Sequence, residues 1–224
     1  MKTVIFNSVA KHTHTMFILH GYSCTARSMR YYTSNMNKRI NKGQPKGNVG
    51  IKYIAPQAPK RRVTCYSETV PCWYNYFTDY CDKEEIIDYS HVMNMTNELK
   101  KMIDTEVIKN LNGDYSKVFV AGNSQGACQA LDIALSITKK IGGVISFRGH
   151  TLSNTPTVNN QNVWASHGEL DDAIGFSVAE DSYNKLTDEG FDVTFHKDKD
   201  LDHYKHSCKE FDSVTNWLRN LVGS

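Results

Sequence analysis

The chain has 224 residues, of which 40% are hydrophobic, and its 26 Lys and Arg residues nearly balance its 24 Asp and Glu residues. This length predicts one domain over residues 1–224 with a sizeable buried core. The formal net charge of +2 gives no electrostatic reason to expect nucleic acid as a partner. The apolar runs at 3–6 and 16–19 are far shorter than a signal-peptide core or a membrane span. We therefore expect a cytoplasmic protein without stable membrane insertion, in an oligomeric state that the sequence leaves open.

Cysteine usage argues against a disulfide scaffold and against a metal site. Six cysteines in a chain of this length are too few for a disulfide framework, so free thiols are expected. Cys65, Cys72 and Cys81 lie close in sequence, and a pairing among them stays open. No C-x-x-C pair accompanies them, which disfavours zinc. We expect neither a metal nor another cofactor.

The first half of the chain predicts strands around one helix and one long loop. Apolar runs at 3–6, 15–19 and 51–54 predict strands, and residues at helical spacing predict a helix over 26–42. A Gly/Pro/Asn linker follows at 43–50. From about 56 to 88 the chain is aromatic and irregular, and it is too long for a plain connection. Its aromatic residues either line an apolar groove or pack the loop against the core.

The second half alternates helices and strands. Helical spacing predicts a long helix over 88–110, and short apolar runs predict strands at 118–121, 143–147, 162–166 and 191–195. Further helices are predicted after Ser124, around 176–186 and around 211–221. This alternation, without a composition break, predicts an α/β fold with a mostly parallel sheet and helices on both faces.

The turn G-N-S-Q-G at 122–126 lies where a buried strand ends and a helix begins. In this context G-x-S-x-G indicates a nucleophilic serine, Ser124, held on a strained turn at a helix N-terminus. Glycines at 122 and 126 are expected because the strand and helix backbones approach closely there. A strand that ends in His20-Gly21 typically leads into the loop that donates one oxyanion-hole N–H. The amides of Tyr22 and Gln125 are therefore the predicted oxyanion donors.

A serine nucleophile needs an imidazole base and a carboxylate to orient it. Asp171 and His203 each follow a predicted strand, so both are expected at the carboxyl edge of the sheet with the serine. Asp172 competes with the first and His206 with the second. His167 precedes a glycine at a strand end and is interpreted as a packing residue.

The chain resembles the acyl-protein thioesterase and carboxylesterase family, also called lysophospholipase-like, among the α/β-hydrolases. The matching segments appear in family order and are FILHG at 17–21, IKYIAPQAP at 51–59, AGNSQGA at 121–127, HGELD at 167–171 and VTF at 193–195. The resemblance implies hydrolysis of carboxylic esters or thioesters, with lysophospholipids included, through a covalent acyl-enzyme and without a cofactor. The implied partner is a small acyl ester or thioester, or an acylated protein.

The same resemblance assigns roles to particular residues. It implies that Ser124 is the nucleophile, Asp171 the acid and His203 the base, and that Trp73 borders the acyl groove. The oxyanion loop here reads GYSC at 21–24, where the family commonly has GLGD, so the natural substrate stays open. The alternative hypothesis is a non-catalytic binding protein on an α/β-hydrolase fold, and rival substrates are peptides and carbohydrate esters.

Overall fold

The computed structural model describes residues 1–8, 10–42 and 49–223, so most of the predicted linker, at 43–48, lies outside the described residues. The strands are β1 Thr3–Phe6, β2 His14–Leu19, β3 Ile51–Pro56, β4 Lys60–Val63, β5 Glu68–Pro71, β6 Val118–Asn123, β7 Gly143–Phe147, β8 Asn162–Gly168 and β9 Asp192–Asp198. The α-helices are α1 Arg30–Ile40, α2 Tyr89–Asn110, α3 Gln125–Ser136, α4 Phe176–Asp188 and α5 Cys208–Val222. Short 3-10 turns lie at Ala26–Met29 and Tyr115–Lys117.

Seven strands form one sheet in the order β1-β3-β2-β6-β7-β8-β9. Strand β1 runs antiparallel to β3, whereas the other neighbours in this sheet run parallel. The predicted mostly parallel α/β sheet is therefore confirmed. Because parallel strands end at the same edge, the loops after β2, β6, β8 and β9 meet there.

Two apolar clusters cover the two faces of the sheet. Along β2, Phe17 and Leu19 belong to one cluster and Met16 and Ile18 to the other, as the period of a strand requires. The first cluster includes side chains of α2, α3 and α4, and the second includes side chains of α1 and α5. Helices therefore lie on both faces, as predicted.

The aromatic segment contains a hairpin that the sequence pattern does not indicate. Strands β4 and β5 pair antiparallel, with Lys60 opposite Pro71, within a stretch predicted to be irregular. Most of their residues are exposed or half-buried, so the alternation of apolar and polar residues that reveals a strand is missing. The predicted helix over 26–42 is also shorter, because its first turn is 3-10.

No helix within the described ranges combines the length and apolarity that crossing a bilayer requires.

Candidate active site

Ser124 lies on a strained turn between β6 and α3. It is the N-cap of α3, with φ 55° and ψ −127°. A non-glycine residue in this region of φ/ψ space costs on the order of 1–3 kcal/mol, and the surrounding structure must hold it there. A Cβ at Gly122 would lie 2.1 Å from the carbonyl oxygen of Gly126, and one at Gly126 would lie 2.4 Å from the carbonyl oxygen of His20. The two glycines therefore permit the close approach that exposes the serine.

The structure brings His203 and Asp171 to this serine. His203 follows β9, and its Nε2 lies 2.9 Å from Ser124 Oγ. Its Nδ1 lies 2.9 and 2.8 Å from the two carboxylate oxygens of Asp171, which follows β8. Asp171 Oδ1 also accepts the amides of Ala173 and Ile174, at 3.0 and 2.8 Å. These contacts form one continuous hydrogen-bonded chain from carboxylate to hydroxyl.

The charge of Asp171 determines which atom donates in each of these hydrogen bonds. Burial raises the pKa of Asp171, but hydrogen bonds from His167 and His203 outweigh it and hold the pKa of the carboxyl well below its usual range. An ionised carboxylate only accepts hydrogen bonds, so Nδ1 of His203 carries the proton that faces it. The Nε2 atom is then the acceptor for the hydroxyl proton of Ser124.

The loop after β2 passes directly beside Ser124. A Cβ at Gly21 would lie 3.4 Å from Ser124 Cβ. The amide of Ser23 donates to Pro71 and that of Cys24 donates to Gly21, at 3.0 and 3.2 Å. Tyr22, between them and the glycine, is the loop residue that sequence reasoning assigned to the oxyanion hole.

The second assigned donor is the amide of Gln125. This residue opens α3, so its N–H belongs to the helix end that has no intrahelical acceptor. Its side chain is buried, accepts the amide of Trp73 at 2.9 Å and donates to the carbonyl of Tyr74 at 2.9 Å. The residue after the nucleophile is therefore anchored to the aromatic segment.

His20 holds the loop after β2 from within the core. Its Nδ1–H donates to the carbonyl of Gly21 at 2.8 Å, and its Nε2 accepts the amide of Ala58 at 3.1 Å. Burial lowers the pKa of this imidazole, which keeps Nε2 an acceptor. Gln57 lies 3.1 Å from the same nitrogen and accepts the amide of Ala26. Gln57 and Ala58 belong to the IKYIAPQAP segment, one of those on which the resemblance rests. This segment therefore supports the loop after β2.

The predicted contact between Trp73 and substrate is wrong. Its side chain is fully buried and is absent from the lining of the cleft beside Ser124. Its indole N–H donates to the carbonyl of His20 at 2.7 Å, and its ring packs on that imidazole with centroids 5.1 Å apart. Trp73 instead supports the loop after β2 from below, because its indole N–H is already bonded to the carbonyl of His20.

The cleft beside the serine has a volume of about 720 Å³. The aromatic segment contributes much of its wall, as one of the two alternatives predicted, through Tyr66, Tyr74, Tyr76 and Tyr80. The same segment also brings carboxylates to the lining, which the sequence interpretation of an apolar groove did not include: Glu68, Asp79, Glu84 and Glu85. The groove is therefore both aromatic and anionic.

Both ring nitrogens of His206, the alternative base, contact residues other than Ser124. Its Nδ1 lies 2.7 Å from the carboxylate of Glu210 and its Nε2 lies 2.7 Å from the hydroxyl of Tyr32. Ser207 caps α5 by accepting the amide of Glu210 at 3.1 Å. Both ring nitrogens of His206 are therefore bonded elsewhere, although the ring lines the same cleft as Ser124.

Arg148 supports the site from within the core, and sequence reasoning did not single it out. It is fully buried, has a φ of 57° and follows β7. Its guanidinium donates to the carbonyls of Asp202 and Lys205, at 3.2 and 2.5 Å, and pairs with Glu210. It thus holds the loop that carries His203 from both sides. A single arginine after a strand carries no sequence signal for this role.

All six cysteines are free thiols, including Cys65, Cys72 and Cys81. In the ranges that the structure describes, no group of three or more His, Cys, Asp or Glu is arranged to hold a metal ion.

The fold and the arrangement at this sheet edge define an α/β-hydrolase. The sequence profile of the Phospholipase/Carboxylesterase family matches residues 1–222. The chain therefore belongs to this family and is a hydrolase.

Individual relatives are distant. Acyl-protein thioesterase 1 of Schizosaccharomyces pombe is 25% identical over 150 residues, which span 66% of this chain and 61% of that protein's length. Lysophospholipase-like protein 1 of Mus musculus is 22% identical over 225 residues, 96% of this chain and 89% of that protein. The crystal structure of Zea mays acyl-protein thioesterase 2 matches with a TM-score of 0.76 and 20% identity, covering 99% of each chain. At this identity the structural likeness establishes the fold alone.

Proposed function

We propose that the protein is a serine hydrolase that cleaves carboxylic esters or thioesters through an acyl-enzyme on Ser124, with its catalytic unit a single domain over residues 1–224. The observation that carries the proposal is the continuous hydrogen-bonded chain from Asp171 through His203 to the serine. Ser124 and His203 both line the cleft, so a substrate placed there meets the nucleophile and the base together.

Acylation begins when Ser124 Oγ attacks the substrate carbonyl carbon and His203 Nε2 takes the hydroxyl proton. The ionised Asp171 stabilises the imidazolium that forms, without itself taking the proton. Negative charge develops on the carbonyl oxygen, where the amides of Tyr22 and Gln125 donate. The imidazolium then gives its proton to the leaving alcohol or thiol as the C–O or C–S bond breaks.

Deacylation repeats these steps with water as the nucleophile. His203 Nε2 takes a proton from the water, and the hydroxide adds to the acyl carbonyl. The same amides stabilise the second tetrahedral intermediate. Collapse releases the carboxylic acid and returns the proton to Ser124 Oγ, so the enzyme is regenerated.

The names of the relatives and the lining of the cleft support the proposed substrate class. Relatives bear the names acyl-protein thioesterase and lysophospholipase-like protein, which supports a small acyl ester or thioester, or an acylated protein, as substrate. Each buried methylene of an acyl chain is worth about 0.8 kcal/mol. The tyrosines of the cleft wall offer the apolar surface for that burial.

Labelling with a fluorophosphonate probe tests the proposal without knowledge of the natural substrate. The wild type and Ser23→Ala, which removes another hydroxyl from the cleft lining, are expected to be labelled, whereas Ser124→Ala is not. Turnover of a short activated ester by Ser124→Ala is expected to fall on the order of 10⁴-fold or more. A Ser124→Ala protein with a tenth of the wild-type rate would overturn the assignment. A folded wild type that neither reacts nor turns over esters would favour the non-catalytic alternative.

A further inference from the structure

A second imidazole reaches the carboxylate of the proposed triad. His167 lies in β8, four positions before Asp171, and its Nε2 lies 3.1 Å from Asp171 Oδ2. The same oxygen is 2.8 Å from His203 Nδ1. The carboxylate is therefore held between two histidines.

The contacts of His167 identify which of its nitrogens carries a proton. Its Nε2 also lies 2.8 Å from the carbonyl oxygen of Ile174. Both neighbours of this nitrogen are acceptors, so Nε2 must be the donor. The side chain is fully buried, and its Nδ1 has no hydrogen-bond partner within the described part of the chain. Only the Nε2 edge of the ring therefore makes polar contacts.

The Nε2–H of His167 faces the carboxylate oxygen of Asp171 that the loop amides do not contact. Asp171 Oδ1 already accepts two amides of the loop, so Oδ2 is the oxygen that depends on side chains. Within the described residues, the other partner of Oδ2 is the imidazole of His203, which must move protons during catalysis. The single Nε2–H is shared between this carboxylate and the carbonyl of Ile174, and a hydrogen bond to a charged acceptor is stronger than one to a neutral acceptor. Such a bond restrains the carboxylate more strongly than apolar packing does.

We propose that His167 is a positioning residue, whose Nε2–H holds the Asp171 carboxylate in the orientation that aligns His203 with Ser124. The inference rests on the proposed function, since it assigns a role relative to that triad. It also replaces the sequence interpretation of His167 as a packing residue.

Two amide substitutions separate the role of the Nε2–H donor of His167 from the packing of its ring. His167→Gln places an amide N–H close to the position of Nε2, whereas His167→Asn places the amide near Nδ1, too short to reach Asp171. His196→Asn is the matched control, because that imidazole lies on the adjacent strand β9, stacks on Trp164 and has a buried Nε2 without a partner within the described part of the chain. The kcat and KM for a short activated ester, and Tm, are measured for each variant.

We expect His167→Asn to lower kcat roughly 10- to 100-fold with KM within about twofold of wild type. His167→Gln is expected to recover kcat to within about threefold, and His196→Asn to keep wild-type kcat while losing a similar amount of Tm. Should His167→Asn destabilise the fold, His167→Phe, which fills the volume without a donor, gives the same comparison with glutamine.

Equal kcat for the Gln and Asn variants, both folded, would overturn the role of the donor. So would a wild-type kcat for His167→Phe. Ser124→Ala distinguishes these failures from failure of the proposed function: if it is inactive, the triad stands and only the role of His167 falls. If Ser124→Ala stays active, the triad itself is refuted.

Discussion

Replacing Asp171 with asparagine is expected to remove nearly all activity while leaving the fold intact. The amide oxygen takes the place of Oδ1, which accepts the amides of Ala173 and Ile174. The amide NH₂ then takes the place of Oδ2, which lies 2.8 Å from His203 Nδ1. Two donors cannot face each other, so His203 must carry its proton on Nε2 instead, while the Nε2–H of His167 keeps the carbonyl of Ile174 as its acceptor. The Nε2 of His203 can then no longer accept the proton of Ser124.

The magnitude follows from this change of tautomer. A triad with the wrong tautomer and intact geometry loses about 10⁴-fold in kcat. This corresponds to about 5.5 kcal/mol of transition-state stabilisation. Binding of the substrate is expected to change little, because the acid lies behind the base and away from the cleft surface.

Steady-state kinetics with a short activated ester, together with Tm, measure the effect. The control is Asp172→Asn, which changes the neighbouring exposed aspartate that the sequence left as a competitor. We expect the control to keep kcat for a neutral ester within about threefold of wild type. An Asp171→Asn protein within tenfold of wild type, or a control that loses as much, would refute the reasoning.

His203→Ala should be nearly as inactive as a variant without the nucleophile, whereas His206→Ala should keep most of kcat and lose Tm, because its buried bonds are structural; the reverse ranking of kcat would move the base to position 206. Trp73→Phe, which loses the indole N–H bond under the oxyanion loop, should lower kcat/KM by the same factor for short and long acyl esters, and a loss confined to long chains would restore the groove role. Burial raises the pKa of Glu210, but the bond from His206 and the charge of Arg148 outweigh it and set the pKa at about 2 in the folded protein. The stability from this depressed pKa is complete above the unfolded value of 4.5 and is lost as pH falls toward 2, so Tm should drop in that window and Glu210→Gln should flatten the drop. An ester with a quaternary ammonium leaving group should exceed an uncharged isostere in kcat/KM at low salt, and a ratio that does not fall with added salt would contradict this role of the cleft carboxylates.

The nucleophile turn could be predicted because its constraints are local. The glycines at 122 and 126 are required by backbone contacts within the turn and with the neighbouring strand, so they leave a short pattern in the sequence. Asp171 and His203 could be placed at the same edge because parallel strands end together.

The remaining features depend on contacts between segments far apart in the chain. Arg148 holds the loop at 202–205 through backbone carbonyls. Every residue has a backbone carbonyl, so these contacts leave no pattern in the sequence. Trp73 was assigned by resemblance, which transfers a segment to the site but not the direction in which each side chain points. The β4–β5 hairpin has few buried side chains, so no hydrophobic period marks it.

The cleft wall pairs tyrosine hydroxyls with carboxylates, once at the GYSC loop and once within the aromatic segment. Tyr22, where the family commonly has leucine, donates its hydroxyl to Glu68 at 2.6 Å, and Tyr66 donates to Asp79 at 2.6 Å. The rings of Tyr22 and Tyr66 lie 5.4 Å apart between centroids. Each tyrosine hydroxyl is therefore already used within the wall, and each carboxylate accepts a hydrogen bond from it. The same hydrogen-bonded pairs therefore bring both ring surface and carboxylates to the cleft, which is why the salt dependence of a quaternary ammonium ester tests this wall.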